Sequence, residues 1–182
     1  MLLLTLTAGA NRYAIDVARV VEVIPRVELR AVPHAPEFVA GLLGYRGKVV
    51  PVLDLCLLLG VAASQDCLST RIILVDDASG DHNRQNQGGN IVHDEIGESS
   101  LKQKPGPNLL GLVAEHVNDL AYVLPEQIVP TPLILPEVPY LGATVQTDQG
   151  IVQLIVVEQI QAAVLQSSYS GRAVVSDLNP GL

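Results

Sequence analysis

Apolar residues along the chain fall into short blocks, cut at frequent intervals by glycine, proline and small polar residues. Leu2 to Thr7 reads as a strand that turns at "AGAN" into a second, "RYAID". Val17 to Pro25 alternates well enough for a third, ended by Pro25. "VELRAVPHAP" is a loop, and Pro36 to Leu43 fits one helical turn with proline at its start. "LLGYRG" and "KVVPVLDL" form a hairpin-like pair, after which Asp54 caps a short helix, "LCLLLG", ending at Gly60. Ser69 to Asp76 is almost continuously apolar, which predicts a strand buried on both faces. Its partner is Asn108 to Val117, followed by a separate strand in "DLAYVLP". "YLGATVQTDQGIVQLIVV" reads as a hairpin around "TDQG". Ile160, Ala163 and Val164 recur at helical spacing near the end.

These are about ten short strands with three short helices, and the βαβ alternation of a parallel α/β fold is absent. The class expected is all-β, a barrel or a sandwich. Two segments stand apart. Residues 79–107 are polar, with only Ile91, Val92, Ile96 and Leu101 apolar, and read as a flexible insertion between paired strands. Residues 167–182 read as a loose tail. Aromatics are 3% of the chain against 48% hydrophobic residues, so Val, Ile and Leu must fill the core.

Charge narrows the function. A net charge of −8 without a Lys/Arg cluster disfavours nucleic acid and anionic membrane surfaces. No apolar run approaches the ~18 residues of a membrane helix, and the apolar start lacks a basic flank, so direct membrane insertion is not expected. Cys56 and Cys67 lack metal-ligand spacing and read as free thiols of a reducing cytoplasm. Neither HxH nor HExxH occurs among His34, His82, His93 and His116, so no metal or other cofactor is expected. "ILVDDASGD" offers Asp76 and Asp77 to a hydrolytic or metal-dependent enzyme working with a histidine. A strand-end turn explains that stretch better, because Ala78 separates Asp77 from Ser79 and an aspartic dyad needs a second such stretch. What remains are isolated charges beside apolar strands: Glu22 in "VVEVIP" and Arg46 in "YRG". Each is either a solvated residue or part of a contact surface with Val17 and Val20.

The ordered blocks "NRYAIDVARVVEV", "AGLLGYRGKVVPVLDL", "TRIILV", "LLGLVAEHVNDL" and "YLGATVQTDQGIVQLIVVEQI" resemble the CheW family of chemotaxis coupling proteins. "NRYAIDVARVVEV", "AGLLGYRG" and "STRIILVD" are most similar to the couplers of surface-sensing, Wsp-like pathways that control cyclic-di-GMP synthesis. The resemblance implies two small SH3-like five-stranded β-barrels packed side by side. They would form one CheW-like domain over residues 1–165, with barrels at roughly 1–60 and 68–160 and an apolar seam between them. It implies no catalysis. It implies a stand-alone scaffold that bridges the cytoplasmic tip of a methyl-accepting receptor and the regulatory domain of a CheA-type histidine kinase, recruited from the cytoplasm to membrane-associated receptor arrays. Carried over by position, Val17, Val20 and Glu22 match the receptor-contact strand and Arg46 the arginine of the RG turn. Gly47, Pro51 and Asp54 match structural positions: the turn, the end of edge pairing and the helix cap. The chain departs from the family pattern in the 79–107 insertion and in "VVEQIQ", where relatives carry an acidic "DIEKLL"-like end.

Overall fold

The computed structural model describes residues 1–76, 109–130, 136, 138–147 and 150–170. Ten strands carry the fold among them: β1 (Leu2–Ala8), β2 (Asn11–Asp16), β3 (Val20–Pro25), β4 (Val39–Tyr45), β5 (Lys48–Asp54), β6 (Arg71–Asp76), β7 (Leu109–Tyr122), β8 (Ile128–Val129), β9 (Leu141–Thr147) and β10 (Gly150–Ile155). Two α-helices accompany them, α1 (Leu55–Leu58) and α2 (Val157–Ser170), with 3₁₀ turns at Val17–Arg19 and Pro125–Gln127. The protein is all-β with short helices.

β7 organises the whole. Its first half pairs antiparallel with β6 and parallel with β5, which carries β4, while β3 lies on the far side of β6. Its second half pairs with β1, and the sheet continues through β2, β10, β9 and β8. The division expected near residues 60–68 does not describe this pairing. β1 and β2 belong with β9 and β10, not with β3 to β5. Local pattern identifies a strand but not its partner, and here the partners of the first two strands are supplied late in the chain.

The packing explains why so many strands are apolar on both faces. In β6, Ile72 and Leu74 point into one barrel with Leu43, Val50, Val52 and Val113. The alternate residues Ile73 and Val75 point the other way, into a cluster with Leu4, Leu6, Tyr13, Ile15, Leu53, Leu112 and Ile155. The second barrel has its own small interior of Leu3, Ala14, Val123, Val145 and Val152. The seam between the barrels is the largest of the three cores, with 18 buried residues against 6 and 5 in the described barrel interiors. Small barrels have little apolar volume each, so the shared layer supplies what neither provides alone.

Both helices close this seam. Asp54 caps α1: its carboxylate accepts from Cys56 N at 2.9 Å, Leu57 N at 3.2 Å, Ser64 N at 3.0 Å and Ser64 Oγ at 2.8 Å. Buried with four donors, it fixes α1 so that Leu55 and Cys56 enter the seam. Burial pushes the Cys56 thiol up, whereas exposed Cys67 is lowered by hydrogen bonds to Ser69 and Thr70. α2 adds Ile160 and rests Ala163 and Val164 on the same layer. Tyr140 Oη donates to Leu58 O at 2.6 Å, and Arg19 pairs with Glu158 at 2.5 Å, tying α2 to the turn before β3.

Four local expectations are corrected. The third strand starts at Val20, because Asp16 accepts from Ala18 N at 2.9 Å and winds Val17–Arg19 into a 3₁₀ turn. Residues 36–43 form no helix: a turn leads directly into β4. "LVAEHVNDLAY" is one strand, since the left-handed His116 (φ 47°) lies in a register shift that lets β7 change partners without ending. The tail does not begin at 167, because no glycine or proline interrupts the helix before Gly171, and α2 runs to Ser170. The 79–107 insertion and residues 171–182 lie outside the described residues.

Candidate interaction site

The hairpin of β4 and β5 is closed by two residues, Arg46 and Gly47, between the paired Tyr45 and Lys48. Their φ angles are +48° and +76°. Positive φ at both central residues is what the type I′ turn requires, and that turn matches the twist of the flanking strands. Glycine adopts it freely. Arginine does not, at a cost of about 1–2 kcal/mol.

β3 brings the opposite charge. Val20 pairs with Val75 and Glu22 with Leu74, so Val21 is an extra residue, a β-bulge. Beyond it, Glu22 lies on the same side as Ile24, which packs on the first barrel's interior. That side leads to the barrel mouth, where Tyr45 also packs. There Arg46 Nη2 donates to Glu22 Oε2 at 2.8 Å, and Tyr45 Oη donates to the same oxygen. The Arg46 guanidinium carbon lies 4.9 Å from the centroid of the Tyr45 ring. Arg46 is 72% exposed and Glu22 38%. The hydrogen bond to Glu22 raises the Tyr45 phenol, since the carboxylate favours the protonated partner, while the Arg46 charge opposes this.

The structure thus joins Glu22 and Arg46 but separates them from Val17 and Val20. Both valines are half-buried and pack against the seam. The exposed apolar residues near the charged pair in sequence are Val21 and Val23 of β3 and Val49 of β5. A strict odd–even reading of β3 misses this because the bulge shifts the parity. The pattern does not single out Tyr45 either, and a tyrosine beside an arginine in the hairpin turn is its only sequence signal. Gly47 sits in the turn, Pro51 is exposed opposite Leu42 in the ladder to β4, and pairing of β5 with β7 begins just after it, at Val52. Gly41 is also constrained: at φ +146° a Cβ would lie 2.7 Å from Arg30 O, where the chain after β3 crosses β4.

Among the described residues the hydrolytic candidates do not come together. Asp76 ends β6 opposite Leu109. Asp77, His82 and His93 lie outside the described residues. His34 is in a loop, and His116 Nδ1 lies 3.2 Å from Ser69 Oγ. Among the described residues no group of three or more His, Cys, Asp or Glu is placed to hold a metal, and no helix is long and apolar enough to cross a membrane.

A family model for the CheW-like domain matches residues 2–164. The chain belongs to the CheW-like family. Its relatives include a "Chemotaxis protein CheW" of Helicobacter pylori, 31% identical over 67 residues that span 37% of this chain and 41% of that one. A "Probable chemotaxis protein CheW" of Rhizobium etli is 24% identical over 132 residues, 72% of this chain and 67% of that one. The fold of this CheW-like chain is similar to that of the scaffolding protein TtCheW from Thermoanaerobacter tengcongensis, with a TM-score of 0.63 at 20% identity, covering 85% and 82% of the two chains. Membership leaves the reading of Asp76 and Asp77 as catalytic carboxylates without support.

Proposed function

We propose that the protein is a non-enzymatic adaptor of chemotaxis-type signalling, coupling the cytoplasmic tip of a methyl-accepting receptor to the regulatory domain of a CheA-type histidine kinase at receptor arrays. Family membership supports the class of function. The observation that carries the choice of contact surface is the exposed Arg46, presented by a strained turn and steadied by Glu22 and Tyr45. Strain held at an exposed position does nothing for stability and is commonly retained at functional sites. Exposed Val21 and Val23, on the strand that carries Glu22, and Val49, on the strand that follows the Arg46 turn, offer apolar area to bury against a partner. Val17 and Val20 support the strand from the seam side.

Pull-downs with the purified receptor tip and the purified kinase regulatory domain test this reading. The unaltered protein is expected to bind both, with Arg46→Ala and Val23→Asp weakening at least one. Val20→Asp is a poor control, because it would place a charge against the seam. Binding to neither partner by the unaltered protein would sink the proposal.

A further inference from the structure

We propose that Tyr45 is a positioning residue for Arg46, holding its guanidinium ready for a carboxylate on an otherwise apolar surface of a partner protein. This rests on the adaptor reading above. Tyr45 makes two contacts at once: its hydroxyl donates to Glu22 Oε2, and its ring lies under the guanidinium, 4.9 Å from centroid to Cζ. Arg46 is therefore restrained at Nη2 by Glu22, at 2.8 Å, and across its face by the ring. Guanidinium carries five N–H donors in a rigid fork, and this ion pair engages only Nη2, so the fork keeps donors for a bidentate partner.

Stability does not account for the arrangement. An ion pair with one member 72% exposed contributes little to folding, and Asn or Gly would fit the left-handed turn position better than Arg. Restraint of a long, flexible side chain does matter for association, because it removes rotamer freedom before the partner arrives.

The partner's chemistry follows from charge and surroundings. Arg46 and exposed Lys48 outnumber Glu22 at the hairpin tip, a local cation on a chain of net charge −8. Exposed Val21, Val23 and Val49 lie on the two strands that carry this cluster. A carboxylate set among apolar side chains complements both features.

The test compares Tyr45→Phe, which keeps the ring, with Tyr45→Leu, which loses ring and hydroxyl. In the free protein, NMR of the Arg46 guanidinium should show rotation accelerating in the order unaltered, Phe, Leu. Affinity for the receptor tip or the kinase regulatory domain should fall about threefold in Tyr45→Phe and about tenfold in Tyr45→Leu, with the urea midpoint unchanged. Raising NaCl from about 50 to 500 mM should weaken binding by the unaltered protein, and Arg46→Ala should flatten that dependence. Affinity losses that track the urea midpoint, or a salt dependence unchanged in Arg46→Ala, overturn the proposal. If the unaltered protein binds neither partner, the adaptor reading fails on its own. The NMR comparison then still decides the role of Tyr45, and guanidinium rotation unaffected by Tyr45→Leu refutes it.

Discussion

At the seam, Leu55, Ile73 and Leu112 are fully buried and touch elements of both barrels. At the hairpin tip, Arg46 stands in solvent, held by one half-buried carboxylate and one aromatic ring. Val20 and Glu22 are two residues apart in β3, yet one faces each region. The contrast separates two roles that sequence proximity blurs. The seam specifies that the chain folds as one body, and the tip, on the proposed function, specifies what that body touches. A bulge of one residue, Val21, is the device that lets a single strand serve both.

Three substitutions grade the contrast. Leu112→Ala should cost most, about 2–5 kcal/mol by urea denaturation, since it opens a cavity in the layer shared by both barrels. A loss under about 1 kcal/mol would mean that the seam is not the common core. Asp54→Ala should cost less, about 1–3 kcal/mol, by leaving the buried donors of Cys56, Leu57 and Ser64 without their acceptor. Its thermal unfolding should remain a single transition, because α1 and the seam lose support together. Arg46→Gly should do least to the fold: stability stays level or rises by up to about 1 kcal/mol, as glycine relieves the left-handed strain. Partner binding should nevertheless be lost. A clear drop in stability with binding intact would reverse the roles assigned to seam and tip.

Much of the architecture was readable in the residues. The unbroken apolar run of "RIILV" implies burial on both faces, and β6 indeed lines a barrel with one face and the seam with the other. "YRGK" between apolar blocks gives a tight hairpin, and an aspartate ahead of "LCLL" gives a helix cap. Partner choice was not readable. "HVNDL" carries the polar residues of a turn, yet β7 passes through it as one strand because the sheet on either side needs a continuous edge. The site was half legible. Glu22 and Arg46 stand out as charges in apolar surroundings, but their meeting depends on contacts 24 residues apart. The Tyr45 hydroxyl bond to Glu22 has no local signature at all, and the inward turn of Val17 and Val20 depends on a 3₁₀ turn and a bulge that hydrophobic periodicity does not register.

The pairing of Leu2 with Tyr122 sets a schedule for the ribosome. β1 leaves the exit tunnel well ahead of β7, and the strand that covers its open edge is not synthesised until more than a hundred residues later. At about 5–20 residues per second that interval is roughly five to twenty seconds. Throughout it, Leu4 and Leu6 lack the part of the seam that comes from β7 onward, Leu110, Leu112, Tyr140, Ile155 and Ile160 among it. The β1–β2 hairpin therefore keeps one unpaired edge for that interval, and slower translation of the region before β7 would lengthen the exposure of that edge.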